Sequence, residues 1–372
     1  MSGPTDGIGG AGANLPVLRG HNTALVLELL RQATVGDGPG VSRAELAERT
    51  GLTPQAVSKI VARLRADGLA DEAGRTPSTG GKPRTLLRLV RTARYAVGVH
   101  LDRDELTTVL VDLAGEPVTA RTVPFDLGAP PETLLSAVAT RVRDVVAGVP
   151  AADVLGAGVA APGPLDHARG VLHRVTGFPG WDGYPLRDAL ADRLSLPVVL
   201  DKDTNTAALA VQAARPDSTA SFAYLHLATG LGAGLVLGGT LYRGARTGAG
   251  EFGHQTVELA GPLCGCGNRG CLEALCLVAL RRRDAAGAAR LLGVGAANLV
   301  ALLDIDHVVL GGRAVLAAPD VYTRHVAATL ALRAGHPVPV SVAPDAPDAP
   351  RLVAVGAARL ALRGFARAGG QP

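Results

Sequence analysis

Apolar residues along this chain follow two rhythms, a helical one near the start and a short, strand-like one from about residue 95 onward. Between Asn22 and Arg31, the residues Leu25, Val26, Leu29 and Leu30 recur at helical spacing and predict a helix with one buried face. Ser42, with Glu45 three residues on, is a capping-box pair that opens a second, short helix stopped by Gly51. Thr53 caps a third, with Pro54 in its first turn and Val57, Ile60, Val61 and Leu64 facing inward until Gly68. Leu69 to Ala73 and Thr85 to Val90 then read as two short strands joined by Pro77-Ser-Thr-Gly-Gly-Lys-Pro83.

Further strands are predicted at Ala96 to Leu101, Thr107 to Leu113 and Pro117 to Pro124, followed by a helix over Pro131 to Ala147 and a strand over Val154 to Ala160. A similar order returns from Phe222, with strands near Tyr224 to Leu227, Gly232 to Leu237 and Thr240 to Tyr242. Two related α/β lobes follow from this repetition. A last helix is expected from Ala349 to Phe365, packed back on the first lobe.

At 372 residues the chain can hold two or three cores. Aromatics make up only 3 % against 47 % hydrophobic residues, so those cores must be close-packed Ala, Val and Leu. Met1 to Asn14 is Gly-rich, without a basic or continuous apolar stretch, and reads as a disordered tail rather than a signal peptide. No apolar run is expected to span a membrane, and the cytoplasm is the expected compartment.

The net charge of +4 is concentrated at the start. Residues 1 to 91 hold 12 Lys plus Arg against 8 Asp plus Glu, while the rest of the chain balances. A helix-turn-helix followed by a basic two-stranded wing is the pattern of a winged helix that binds double-stranded DNA. The third helix leaves Gln55, Ser58, Lys59 and Arg63 off its buried stripe: the first two are candidate base readers, the others candidate phosphate contacts. Lys82 and Arg84, at a Gly-rich wing tip, suit a minor groove. The plainer reading is a three-helix dimerisation module.

His254, Cys264, Cys266 and Cys271 form a His-x9-Cys-x-Cys-x4-Cys array with glycines between the thiols. Soft thiolates plus an imidazole suit Zn²⁺, and four protein ligands leave no open position, so the expected ion is structural. The rival readings are a reduced Gly-rich loop and, less readily in a reducing compartment, disulfides.

The run Ala249-Gly-Glu-Phe-Gly-His254 followed by Cys264-Gly-Cys-Gly-Asn-Arg-Gly-Cys-Leu-Glu273 resembles the signature of the ROK family of repressors, open reading frames and sugar kinases. The resemblance continues through Ala161-Pro-Gly-Pro164, Asp201-Lys-Asp-Thr-Asn205, Ala228-Thr-Gly-Leu-Gly-Ala-Gly234 and Val309-Leu-Gly-Gly-Arg313. It implies an actin-like, hexokinase-like two-lobed α/β fold over residues 92–372, with the zinc loop at 254–271, preceded by a winged helix-turn-helix over 15–91. Asp203 matches the family's catalytic base, and Glu251, His254 and Glu273 match residues that hydrogen-bond sugar hydroxyls. Asn205 and Gly163 match further loop positions.

Three departures shape the functional expectation. In kinases of the family, Asp-x-Gly-Gly-Thr lets backbone amides approach the nucleotide phosphates; here the stretch is His100-Leu-Asp-Arg-Asp104, whose side chains fill that approach and whose carboxylates should repel polyphosphate. Lys202 stands where the family usually has Asn, either pairing with Asp203 or Glu251, recognising an anionic ligand, or pointing away. Only Ala274 to Val294 separate Glu273 from Gly295, fewer residues than usual. The resemblance therefore implies a repressor that binds an operator as a homodimer or homotetramer under control of a sugar or sugar-phosphate effector, with no enzyme activity. The alternatives are an ATP-dependent sugar kinase, or a constitutive DNA-binding protein with a vestigial cleft.

Overall fold

A computed structural model describes residues 15–75, 83–215, 220–343 and 351–368. The expected tail at 1–14, most of the wing loop including Lys82, and the expected first two residues of the last helix lie outside these. The chain divides between Val90 and Arg91 into two compact units, with residues from Arg363 onward counted with the first.

In the first unit, α1 (Leu15–Thr34), β1 (Val41–Ser42), α2 (Arg43–Thr50), α3 (Pro54–Ala66), β2 (Ala70–Arg75) and β3 (Thr85–Leu89) fold around Val26, Leu30, Leu46, Val57, Val61, Leu64 and Leu87, all fully buried. The sheet order is β1-β3-β2. Both halves of the capping box form, Ser42 Oγ accepting from the Glu45 amide and Glu45 Oε2 from the Ser42 amide at 2.8 Å. Thr53 Oγ1 accepts from the Ala56 amide at 3.2 Å. α1 runs twice the expected length, because Pro16 falls in its first turn, where no amide donor is required. The two-residue β1 is too short to carry an alternation, and Leu87 and Leu86 across from it supply its register.

The second unit has two lobes of like design. The first contains β4 (Tyr95–Leu101), β5 (Glu105–Asp112), β6 (Pro117–Pro124), α4 (Pro131–Val146), β7 (Val154–Ala161), a small hairpin of β8 (Leu165–Asp166) and β9 (Val171–Leu172), α5 (Leu186–Leu194) and β10 (Val198–Lys202). Its sheet runs β10-β7-β4-β5-β6, an antiparallel meander with two strands added parallel to β4. After α6 (Asp203–Ala213), the second lobe repeats the order: β11 (Phe222–Leu227), β12 (Leu231–Leu237), β13 (Thr240–Tyr242), α7 (Leu272–Arg281), α8 (Ala285–Leu303), β14 (His307–Gly311), α9 (Arg313–Leu316), α10 (Pro319–Arg333) and β15 (Val340–Val342). Its sheet is β13-β12-β11-β14-β15, the same arrangement strand for strand.

The C-terminal helix α11 (Arg351–Arg367) and α6 lie where the lobes meet. Small residues make this possible. A Cβ on Gly98 would fall 1.9 Å from the Ala354 carbonyl and one on Gly158 1.7 Å from that of Ala357, so the first-lobe sheet meets the α11 backbone directly. The low aromatic content therefore has a packing consequence: helix backbones approach the sheets more closely than large side chains would permit.

α8 departs from the expectation that no segment could cross a membrane, being long and apolar enough by length and composition. Here it is a core helix, supplying Ala288, Ala289, Leu292, Ala296 and Val300 to the second lobe.

Candidate functional site

The cysteine-rich loop is built by tight backbone turns. Phe252–His254 forms one helical turn, the Cys264 amide donates to the Asn268 carbonyl at 2.8 Å, and the Gly270 amide donates to that of Pro262. Gly270 is obligatory, since its φ is +62° and a Cβ would lie 1.5 Å from the Glu258 carbonyl. These turns bring one donor atom each from His254, Cys264, Cys266 and Cys271 within 4.8 Å of one another. Cys264 Sγ is 3.7 Å from His254 Nδ1, and Cys266 Sγ is 3.7 Å from Cys271 Sγ. Burial, with the neighbouring thiols, pushes the Cys271 thiol up to about 12, so ionising all three sulfurs together calls for a cation. The cluster can hold a metal ion. The fourth cysteine, Cys276, is buried in the second-lobe core and takes no part.

Cys271 also caps α7, whose first turn carries Glu273. The loop thereby joins the cluster to an open cleft of about 610 Å³ between the lobes, lined among others by Asp102, Arg103, Lys202, Asp203, His226, Glu251, His254 and Glu273. All five side chains expected at a sugar site thus meet in one cavity. Glu273 is 7 % exposed and accepts from the Leu231 amide at 2.8 Å. Asp203 opens α6 from the cleft floor and accepts from the Thr204 amide at 2.6 Å. Burial holds its carboxyl above the ordinary value, against the opposing influence of His100.

Lys202 neither points away nor stands ready for an anion. It is 3 % exposed, and its ammonium donates to the Ala249 carbonyl at 2.7 Å and to Glu251 Oε1 at 2.8 Å. A buried ammonium needs acceptors and a counter-charge, and the Ala249 carbonyl and the Glu251 carboxylate take up two of its three donors. Asn205 is likewise structural: its Nδ2 donates to the fully buried Asp201, whose other oxygen pairs with Arg243 at 2.7 Å.

Around the opposite end lies a second hollow lined by His100, Asp102, Glu105, Tyr224, His226, Gly312 and Arg313. Arg313, first residue of α9, reaches from the second lobe to the turn between β4 and β5 in the first. Its guanidinium lies 2.8 Å from Asp104, 3.6 Å from Asp102 and 3.5 Å from Glu105. The carboxylates expected to repel a polyphosphate are therefore paired with a cation across the cleft. His100 and His226 are both held below their ordinary pKa by burial, and His226 Nδ1 lies 3.0 Å from the Tyr224 hydroxyl. Sequence reasoning passed over His226 and Tyr224, although two polar side chains at i and i+2 in an otherwise apolar strand share one face of the sheet.

On α3 of the first unit, Gln55, Ser58, Lys59 and Arg63 are all exposed. Arg63 is drawn back onto α1, donating to Thr23 Oγ1 at 2.6 Å, whereas Lys59 has no ion-pair partner among the described residues. Arg84 is exposed just before β3.

A family model described as ROK family matches residues 96–286, more than half of the chain. The chain belongs to the ROK family. A MarR family model matches residues 33–79, the helix-turn-helix and first wing strand of a winged helix. The xylose repressor of Bacillus subtilis (strain 168) is 28 % identical over 249 residues, 66 % of this chain and 64 % of that protein, so the chain spans less than two thirds of that relative. A solved ROK family transcriptional regulator, a homologue of the E. coli MLC protein, covers 94 % of this chain and is itself covered completely, with a TM-score of 0.75 at 19 % identity; that likeness speaks for the fold. The ROK hexokinase from Thermus thermophilus, 31 % identical, covers 71 % of this chain, is 96 % covered and has a TM-score of 0.58. The two-lobed actin-like fold preceded by a helix-turn-helix is thus that of the ROK regulators, while the ROK body alone is shared with kinases.

Proposed function

We propose that this chain is a DNA-binding transcriptional regulator of the repressor type, acting on sugar-metabolism genes and controlled by a sugar or sugar-phosphate effector in the interlobe cleft. The observation that carries the reading is the union, in one chain, of a MarR-type winged helix and a ROK body. The exposed face of α3 supplies Gln55 and Ser58 for base edges and Lys59 for a phosphate, with Arg63, Lys82 and Arg84 as further backbone contacts. Asp203, Glu251, His254 and Glu273 would hold sugar hydroxyls. Lys202 supports the site from behind by fixing Glu251.

His254, Cys264, Cys266 and Cys271 would hold a structural Zn²⁺, whose chemistry here is to fix the loop that carries His254 and leads into Glu273. A homodimer or homotetramer in the cytoplasm would read a palindromic operator. A ligand moves such a system only through a difference in its affinity for two arrangements of the protein.

We infer that phosphoryl transfer has been lost. Support comes from the Asp104–Arg313 pair, which lies on the stretch that the resemblance aligns with the kinases' phosphate approach. The mechanism proposed is occupation by an internal ion pair, rather than the simple repulsion foreseen from the carboxylates alone. The test is titration of the purified chain with Mg-ATP, alongside operator selection from random duplexes. Enriched duplexes with no nucleotide binding are expected; micromolar Mg-ATP affinity with transfer to a hexose would favour the kinase reading instead. Replacing Lys59 by Ala should weaken the selected operator and lower its salt slope by about 0.9.

A further inference from the structure

We propose that Arg103 forms an oxyanion subsite of the cleft, so that the effector is a monosaccharide bearing one compact anionic group, carboxylate or phosphate. The inference rests on the sugar-effector reading above and names the class of sugar.

Arg103 sits in the turn between β4 and β5 and lines the cleft. Its guanidinium carbon is 5.6 Å from the centre of the Phe178 ring. A cation packed this near an aromatic ring is attracted to it without using its N–H donors, which stay free for a planar or tetrahedral oxyanion. Among the described residues, no carboxylate or carbonyl takes up those donors.

The other charged side chains of the cavity already have partners. Lys202 is bound by Glu251 and the Ala249 carbonyl. Asp102 accepts from the Arg103 amide and from Thr229 Oγ1 and faces Arg313. Glu273 accepts from the Leu231 amide, and Asp203 from that of Thr204. Arg103 is the cation of the cavity without an ion-pair partner among the described residues, and its donors are the ones an oxyanion of the ligand can take up.

Its placement joins it to the hydroxyl-binding side chains. A Cβ on Gly230 would lie 3.7 Å from one Arg103 nitrogen and 3.0 Å from Glu273 Oε2, so the two groups flank the same point in the cleft wall. A ligand whose hydroxyl meets Glu273 therefore brings a neighbouring substituent to the guanidinium. Lys202, the cation the sequence suggested for this task, is committed to Glu251 and leaves it to Arg103.

The test uses the full-length chain and matched probes, each a neutral aldose with its uronic acid and its terminal phosphate, from the xylose, glucose and mannose series. Dissociation constants by calorimetry are compared for the native protein, Arg103→Met, Arg103→Lys and Phe178→Leu, after thermal unfolding has confirmed that each folds. At least a tenfold preference for one charged member over its neutral parent is expected. Arg103→Met should abolish that preference, Arg103→Lys should keep part of it, and Phe178→Leu should reduce it. Tighter binding of the uronic acid identifies a carboxylate ligand, and of the phosphate a phosphorylated one. Equal affinity for neutral and charged members, or a preference that survives Arg103→Met, overturns the subsite while leaving the sugar-effector reading intact. If no member of any series binds, the sugar-effector reading fails, and the subsite with it.

Discussion

At one end of the cleft the polar side chains are fixed by groups lying behind them, whereas at the other they are fixed by each other across the gap. Glu273 is held by a backbone amide, Glu251 by a buried ammonium and His254 by the cysteine cluster. Each is positioned before a ligand arrives, and the space in front stays free. Opposite them, Asp102, Asp104 and Glu105 gather on Arg313, so the charges lining that hollow already satisfy one another. Preorganised groups with an empty space before them bind; groups that already satisfy one another have little to offer a phosphate. The difference agrees with the function proposed above, in which the end holding Glu251, His254 and Glu273 takes the effector and the other end no longer takes a nucleotide.

Removing the support behind the sugar end should have the largest effect. Cys266 is exposed, so Cys266→Ser disturbs little packing, yet it should abolish the proposed zinc binding and cost at least about 3 kcal/mol of stability. Metal analysis and thermal unfolding check this, and one equivalent of zinc retained per chain would contradict the ligand assignment. Glu251→Gln comes next, because it leaves the Lys202 ammonium buried without its counter-charge. Glu251 is itself one-third exposed, which moderates the loss to about 1–3 kcal/mol in urea unfolding. A loss below about 0.3 kcal/mol would mean that Lys202 does not depend on Glu251.

The parts of this design that were legible in the chain are those written locally. Ser42 with Glu45, Thr53 with Pro54 and the cysteine loop each declare themselves within a few residues, because capping and metal ligation depend on short spacings. The parts that were not legible are long-range. Arg313 and Asp104 are 209 residues apart, and Lys202 and Glu251 are 49 apart. That Asp102 to Asp104 replace the small residues of the family's kinases could be read from the chain, but the identity of the carboxylates' partner could not. The same holds for Arg103, which reads as a blocked glycine position until Phe178 is found near it. The apolar spacing of Leu25, Val26, Leu29 and Leu30 marks only the middle of α1, and its continuation through Pro16 in the first turn and Gly20 carries no such local signal.

Arg313→Ala addresses the opposite end and should cost less. Arg313 is 40 % exposed, so water already screens its pairs, and a loss of about 1 kcal/mol or below is expected. Its dependence on pH has a definite sign. Burial would raise the Asp102 carboxyl, but His100 and the Arg103 amide more than offset this, and the group ends below its ordinary value of 3.8. A carboxylate depressed in the folded state stabilises above that value and loses its contribution as pH falls through the folded one. The difference between native protein and Arg313→Ala should therefore shrink in strong acid. The variant should still fail to bind Mg-ATP in calorimetry, since Asp102 and Asp104 would then face the phosphates uncompensated. Recovery of nucleotide binding would show that Arg313 alone closes this end.

The smallest effect falls on Asp203, in the lining of the cleft, and carries the opposite sign. Burial raises the Asp203 carboxyl above its ordinary 3.8, so at neutral pH the ionised group is less stable in the folded protein than in the unfolded chain. Stability is thus lost as pH rises from 3.8 through the folded value, and Asp203→Asn removes the penalty. The variant should melt higher than the native protein at pH 7, and the gap should close below pH 3.8. A binding group held at a cost to the fold is what a site kept for a ligand predicts, whereas a vestigial cleft has no reason to maintain one. A variant less stable than the native protein at pH 7 would place Asp203 among the structural supports, and would leave the sugar end resembling the phosphate end more than the geometry indicates.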